Sequence, residues 1–332
     1  MSAHRDHLLA LVNASWTTQT IGAALRLGVP AALADGARDL DTIAKRAGAH
    51  APSLRRLLEA LATLGLVGRE DGDQWSLAGP GRLLLEDVEG SLAAWAEFCA
   101  GPSWNVWRSL ADSVRTGACQ RGDRGFSDFE DDAEAAAVFN RAMRDLTGPI
   151  ATAFADRVDL DLSARVVDVG GGSGELLAAV LARHPMATGR VFDRPHAAAG
   201  AARCFNERGI GGRAVFVAGD FFESVPGDAN VYLVKSVLHD WDDAKATGIL
   251  RRIAAATSAD ARVFVLERLR PEPAGESTVD RAIARSDLNM LVGTGGRERS
   301  EAEYAKLLDS AGLRHVRTVE LVPGYGAIEA HR

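Results

Sequence analysis

Apolar residues in this chain recur in two rhythms, one of helical period and one of strand period, and the change between them divides it. Over residues 6–28, Leu8, Val12, Trp16, Ala23 and Leu27 share one helical face, and Gly28-Val29-Pro30 ends the run. A tryptophan so early on an apolar stripe needs a surface to cover, either the chain's own core or a second copy. A short helix begins at Asp41-Thr42-Ile43-Ala44 and stops at Gly48. Pro52 suits the first turn of the next helix, whose stripe Leu54, Leu57, Leu58, Leu61 and Leu64 is closed by Gly65. Leu66–Arg69 and Gln74–Leu77 flank the turn Glu70-Asp71-Gly72-Asp73 and read as a hairpin. Helix, turn, helix and hairpin together predict a winged helix.

Residues 91–116 and 133–148 read as helices, separated by a glycine- and charge-rich stretch from Gly117 to Asp132. The first carries Trp95, Phe98, Trp104 and Trp107, and the second Phe139, Asn140 and Met143. Aromatic residues at helical spacing usually fill a core. Between two domains they can equally wall a small-molecule pocket.

From Arg165 strands and helices alternate. Val166–Val169, Arg190–Phe192, Ala214–Val217, Val231–Val237 and Arg262–Leu266 are the strand runs, a rhythm that predicts an α/β doubly wound parallel sheet. A helix follows over Ser300–Gly312. The last runs, Val316–Leu321 and Gly326–Ala330, are linked through Pro323-Gly324, far too short for a parallel crossover, so they should pair antiparallel. The expected division is a winged-helix domain over 1–92 and a second domain over 93–332, with helical segment 93–148 preceding a core over 149–332.

Bulk properties narrow the function classes. The chain has 332 residues, enough for two domains, with 47% hydrophobic and 25% charged residues, an ordinary globular balance. A net charge of −7 argues against a nucleic-acid or membrane-surface role. Within 39–82 six basic residues face six acidic ones, and a wing reading Glu-Asp-Gly-Asp would oppose phosphate. No duplex DNA binding is expected. Cys99, Cys119 and Cys204 are scattered and form no CxxC, so neither a disulfide framework nor a metal site is expected. No apolar run reaches membrane-spanning length, and the start Met-Ser-Ala-His-Arg-Asp does not read as a signal peptide. A cytoplasmic protein is expected.

The candidate chemistry gathers where strands end. Arg165-Val166-Val167-Asp168-Val169-Gly170-Gly171-Gly172-Ser173-Gly174 reads as strand, glycine turn and helix start, the opening of a nucleotide-type βαβ unit. Two features depart from a dinucleotide site. Glu175 stands where that pattern wants Gly or Ala, and Asp168 places a carboxylate beside the turn. A cationic, amine-bearing ligand suits such a turn better than a pyrophosphate, which points to S-adenosylmethionine (SAM) over NAD. The second strand ends in Asp193, placed to accept ribose hydroxyls; the third in Asp220-Phe221, placed for an adenine amino group and ring. The fourth runs into Lys235-Ser236-Val237-Leu238-His239-Asp240-Trp241, and the fifth ends in Glu267.

Gly170-Gly171-Gly172-Ser173-Gly174, Gly219-Asp220-Phe221-Phe222, Leu238-His239-Asp240-Trp241, Glu267 and Gly295-Gly296-Arg297-Glu298-Arg299 together resemble the SAM-dependent small-molecule O-methyltransferase family. That family includes plant caffeate- and flavonoid-type enzymes and bacterial antibiotic-tailoring enzymes. The resemblance spans nearly the whole chain. It implies a class I methyltransferase Rossmann-like domain behind an N-terminal winged-helix domain used for homodimerisation. It further implies that Asp168, Gly170, Gly172, Asp193, Asp220, Phe221, Lys235, Ser236 and Trp241 hold SAM and its product S-adenosylhomocysteine. His239 would be the general base, flanked by Glu267 and Glu298. Trp95, Trp104, Phe139, Met143, Asp287, Asn289 and Met290 would line the site of a small aromatic or polyketide-type acceptor. Phe221 replaces a methionine found in many relatives, and the loop between Asp287 and Glu298 is shorter than in plant members, so acceptor identity does not carry over.

A phenol of pKa ~10 is a poor nucleophile until a neutral imidazole of pKa ~6.5 takes its proton. A carboxylate on the far ring nitrogen would fix the tautomer, and no metal is expected to be needed. N-, C- or carboxyl-methylation would use much the same cofactor residues, and a SAM-sensing winged-helix regulator is the reading from another class.

Overall fold

The computed structural model describes residues 2–121 and 133–332 of the chain. Most of the glycine- and charge-rich stretch expected over 117–132 therefore lies outside the described residues. The chain divides into two compact units, Met1–Asn105 with Ala137–Leu146, and Val106–Ala136 with Thr147–Arg332.

The first unit opens with helix α1 (Ser2–Arg26), stopped by Gly28 in the left-handed conformation, where a side chain would be strained. A short α2 (Val29–Ala32) follows. Strand β1 (Arg38–Asp39) leads into α3 (Leu40–Ala47), whose N-cap Asp39 accepts from the Thr42 backbone N–H. Helix α4 (Ala51–Thr63) and the antiparallel pair β2 (Val67–Glu70) and β3 (Gln74–Leu77) complete the winged helix. The two residues of β1 pair with β3, adding a third strand that their length hid from the sequence pattern. Ile43, Leu54, Leu58, Leu61, Val67 and Trp75 form the core.

Residues 91–116 are three helices rather than one: α5 (Ala93–Ala100), α6 (Pro102–Trp107) and α7 (Leu110–Thr116). Gly101-Pro102 breaks the first run, because proline lacks the N–H that would continue it. Helix α5 packs on α1, with the Gln19 amide donating to the Ala100 carbonyl at 3.0 Å. Trp95 stacks on Phe98 at 5.8 Å, and Phe98 meets Phe139 edge-on at 5.8 Å.

Helix α8 runs from Ala133 to Arg157, well past the end expected at 148 and straight through Pro149. Proline forfeits one helical hydrogen bond. Burial of Ile150, Phe154 and Val158 in the core of the second unit outweighs that loss.

The second unit is built on a seven-stranded sheet of order β6-β5-β4-β7-β8-β10-β9. Its strands are β4 (Arg165–Val169), β5 (Thr188–Asp193), β6 (Ala214–Ala218), β7 (Val231–Lys235), β8 (Arg262–Arg268), β9 (Arg314–Val322) and β10 (Tyr325–His331). The first five are parallel, and β10 lies antiparallel between β8 and β9, as the Pro-Gly link predicts. Side chains alternate across the sheet. Val166, Leu233, Phe264 and Leu266 meet α8, α9 (Glu175–Arg183) and α10 (Ala198–Glu207). Val167, Val169, Val234 and Val265 face α11 (Asp243–Ala256) and α13 (Glu301–Ser310). Between them in sequence, α12 (Thr278–Gly293) opens with a capping box at Ser277 and extends through the segment read as a loop after Asp287.

Strand order reverses between β4 and β7. Ligands in such sheets bind at the carboxyl ends of the strands beside that reversal.

Candidate active site

At the end of β4 the backbone turns through Gly170, Gly172 and Gly174, all at positive φ. A Cβ on Gly170 would stand 2.7 Å from a Val237 methyl and 3.6 Å from the Phe221 ring, so only glycine lets the turn lie this close. Asp193, at the end of β5, braces the loop: its Oδ2 accepts from the Gly172 N–H at 2.7 Å and its Oδ1 from the Arg194 N–H at 2.6 Å. Asp220 accepts from the Phe222 N–H at 2.8 Å and pairs with the Arg194 guanidinium at 2.7 Å. Phe221, Phe222 and Trp241 form an edge-to-face cluster, Phe222 to Trp241 at 4.8 Å.

Asp168 is fully buried on β4, and its Oδ2 has no hydrogen-bond partner. Burial pushes its pKa to about 7, opposed by the Lys235 ammonium. Burial in turn lowers the pKa of Lys235, while Glu267 and Asp168 hold it up. Lys235 donates to Ser236 Oγ at 3.2 Å, and that hydroxyl meets the Tyr325 hydroxyl at 2.7 Å. Ser236 has φ of 52°, a strained backbone for a residue with a side chain, where β7 leaves the sheet.

These residues fit SAM. An orphaned buried carboxylate oxygen suits an ammonium group, a carboxylate at a parallel strand's end suits ribose hydroxyls, and an aromatic cluster beside Asp220 suits an adenine ring.

His239 sits in a one-turn helix, Leu238–Asp240, directly after β7. Its Nδ1 lies 3.3 Å from Glu298 Oε2 and 3.4 Å from Glu267 Oε2, while Nε2 faces Asp240 at 3.8 Å. The other oxygen of Glu267 collects the backbone N–H groups of Val237, Leu238 and His239 at 3.0, 2.9 and 3.4 Å, capping the turn. The other oxygen of Glu298 accepts from the Ser286 hydroxyl at 2.7 Å, and the Glu298 N–H donates to Asp287 at 2.8 Å. Asn289 accepts from the Trp107 indole at 2.8 Å.

Carboxylates dominate the electrostatics around the imidazole. Burial works against the imidazolium, but Glu267, Asp240 and Glu298 together raise the His239 pKa to about 10. Burial pushes Asp240 to about 7 and Glu267 upward; Glu298, although buried, is held below the usual range by the hydrogen bond and charge of His239.

All the residues expected to hold SAM, the His239 cluster, and Asp287, Asn289 and Met290 belong to the second unit. Trp95, Trp104, Phe139 and Met143 belong to the first. Sequence reasoning missed Ser286, which carries no pattern signal, and gave no role to Arg299, although it closes the Gly-Gly-Arg-Glu-Arg run.

A parallel sheet with a glycine turn at the switch point, strand-end acids and an antiparallel closing strand defines a class I methyltransferase. The O-methyltransferase domain family matches residues 107–314, and the O-methyltransferase dimerisation domain family matches residues 9–87. The mitomycin biosynthesis 6-O-methyltransferase of Streptomyces lavendulae is 39% identical, over 93% of this chain and 89% of its own length. The solved mitomycin 7-O-methyltransferase MmcR superposes with a TM-score of 0.89 at 36% identity, covering 100% of this chain and 98% of that one. The O-methyltransferase NcsB1 of neocarzinostatin biosynthesis, solved with S-adenosylhomocysteine and 1,4-dihydroxy-2-naphthoic acid, superposes with a TM-score of 0.78 at 35% identity over 95% of both chains. This chain belongs to the O-methyltransferase family, and its cofactor is S-adenosylmethionine.

Proposed function

We propose that the enzyme methylates a phenolic hydroxyl of a small aromatic, polyketide-type acceptor, with His239 as the general base. The observation that carries this reading is a buried imidazole whose Nδ1 faces two carboxylates, while Nε2 stands 3.8 Å from Asp240, beyond hydrogen-bonding distance, and so can meet the acceptor. SAM supplies a methyl group on a sulfonium. The chain's own residues position the partners and move one proton. Glu298 and Glu267 fix the ring orientation and stabilise the imidazolium that forms when Nε2 takes the phenolic proton. Asp168, Gly170, Gly172, Asp193, Asp220, Phe221, Lys235, Ser236 and Trp241 hold the cofactor. Asp287 positions Glu298, while Asn289 and Met290 contact the acceptor. NcsB1, with its bound dihydroxynaphthoate, supports an aromatic acceptor.

Methyl transfer from labelled SAM to hydroxynaphthoates and to the matching aminonaphthoates tests this directly. Methylation at oxygen is the expected result; turnover of the amines alone would defeat it.

Residues 1–92 are proposed as the dimerising domain and 93–332 as the methyltransferase domain, a division by function that differs from the compact units, where 93–105 and 137–146 belong with the N-terminal helices. Leu8, Val12 and Trp16 are 59, 65 and 68% exposed on α1, an apolar stripe suited to a second copy. Light scattering should give twice the chain mass, and Trp16→Asp combined with Val12→Asp should shift it to the monomer. An unchanged mass for that variant would place the interface elsewhere.

The winged helix is proposed not to bind DNA. Asp73 of the wing holds Arg55 and Arg69 in ion pairs, so two of its cations are already neutralised. No helix of the described residues is long and apolar enough to cross a membrane. A cytoplasmic location is proposed.

A further inference from the structure

Among the described residues, Arg299 is the one arginine in the set of largest fully buried side chains. It sits outside the ring of groups that touch His239, yet its whole guanidinium is committed to the turn that carries it. Nη1 donates to the Leu238 carbonyl at 2.9 Å, Nη2 to the Trp241 carbonyl at 2.7 Å, and Nε to Asp243 Oδ1 at 2.9 Å. Its charged carbon lies 5.9 Å from the Tyr304 ring centroid.

Leu238 and Trp241 bracket His239 and Asp240, so one planar fork spans the turn. A third bond comes from the same segment, the Arg297 N–H donating to the His239 carbonyl at 2.8 Å. Gly296 packs so close that a Cβ there would overlap the His239 carbonyl oxygen. The residue between these two arginines is Glu298, whose carboxylate meets the imidazole. Residues 296–299 therefore grip the base at its backbone with one side chain and at its ring with the next.

We infer that Arg299 is a positioning residue for the methyl transfer: by clamping the Leu238 and Trp241 carbonyls it sets the distance between His239 and Glu298, and with it the basicity and aim of Nε2. An arginine suits this task because its donors lie in one rigid plane, whereas a lysine ammonium is a single point. Burying a cation costs free energy unless it is paired and fully hydrogen-bonded, and Asp243 with two carbonyls meets that condition. A residue needed only to fill this volume would be apolar.

His239 is faced by Glu267 from β8, by Glu298 from the clamp segment and by Asp240 from its own turn. Arg268 stands 3.9 Å from Glu298, and Lys235 ends β7. None of these groups changes when Arg299 is replaced. Loosening the clamp lengthens the His239–Glu298 contact and lets the imidazole give up its proton at lower pH.

The inference rests on His239 acting as the base, and the experiment separates the two. Arg299→Met keeps length and apolar bulk, Arg299→Lys keeps charge, and Asp243→Asn loosens the third anchor at a side chain that is 55% exposed. Loss of a fixed orientation typically costs ~10–100-fold, so kcat of Arg299→Met should fall by that order, with SAM affinity within a few-fold of the parent. The acid limb of its pH–rate profile should move to lower pH. Arg299→Lys should recover part of the loss, and Asp243→Asn should shift the profile the same way by a smaller amount, even if Arg299→Met does not fold. In a His239→Gln background, Arg299→Met should cost little more, because the group it serves is gone. An unmoved pH profile in Arg299→Lys and Asp243→Asn would overturn the inference. So would an undiminished cost of Arg299→Met on top of His239→Gln. Full activity of His239→Gln alone would instead remove the base assignment itself.

Discussion

His239→Gln is expected to lower kcat at neutral pH by ~10²–10⁴-fold, the usual cost of removing a general base, while SAM affinity stays near that of the parent enzyme. The separation follows from placement. His239 touches Glu298, Glu267 and Asp240 on the turn after β7, whereas the glycine loop after β4 is braced by Asp193. Glutamine keeps some bulk and hydrogen bonding but takes no proton. The pH dependence has a definite sign. A base works deprotonated, and three carboxylates raise the His239 pKa to about 10, so the parent enzyme should gain rate with rising pH well beyond 7. The variant should lose the part of that limb that His239 contributes. It should recover only as the acceptor phenol ionises unaided near pH ~10. Steady-state rates between pH 6 and 10.5 with a hydroxynaphthoate acceptor read both. A variant that matches the parent rate at neutral pH would show that proton removal is not the task of His239, leaving an acceptor that arrives already deprotonated.

The fold was legible wherever burial is periodic. The run Val166-Val167-Asp168-Val169 shows a strand covered on both faces, and the Pro323-Gly324 link forces the antiparallel close that β9 and β10 make. Helix ends were harder to read where tertiary burial overrides local preference. Pro149 marks a break by its chemistry, but Phe154 and Val158 carry α8 past it into the core. Strand β1 is two residues long and exists only because Arg38 and Asp39 meet β3. In the site, each strand-end acid could be found from its position alone. The upward pull on the His239 pKa could not, because Glu267 and Glu298 come to the turn and to Nδ1 from positions 28 and 59 residues further along the chain. Ser286 and Arg299 escaped for a related reason: each acts on a group brought to it by the fold, Ser286 with no pattern around it and Arg299 inside a run whose partners, the Leu238 and Trp241 carbonyls, lie 61 and 58 residues earlier.

Asp193→Ala is expected to have the opposite signature from His239→Gln. Its carboxylate is proposed to accept the ribose hydroxyls, and it already holds the Gly172 N–H at 2.7 Å and the Arg194 N–H at 2.6 Å. Alanine removes the ribose acceptor and the strut under the glycine turn together. Hydrogen bonds to a charged group contribute about 1.5–3 kcal/mol, so the Kd for S-adenosylhomocysteine should rise roughly ten- to a hundredfold. Burial pushes the Asp193 pKa up, and the two N–H groups oppose that shift, so affinity in the parent should weaken as falling pH protonates the carboxyl. The alanine variant should lose that dependence. At saturating SAM its kcat should stay near that of the parent, because none of the contacts that orient His239 involve β5. Calorimetry with S-adenosylhomocysteine at pH 7 and pH 5 measures both effects. An affinity unchanged from the parent at pH 7 would take Asp193 out of the cofactor site and leave it only the bracing of the glycine turn.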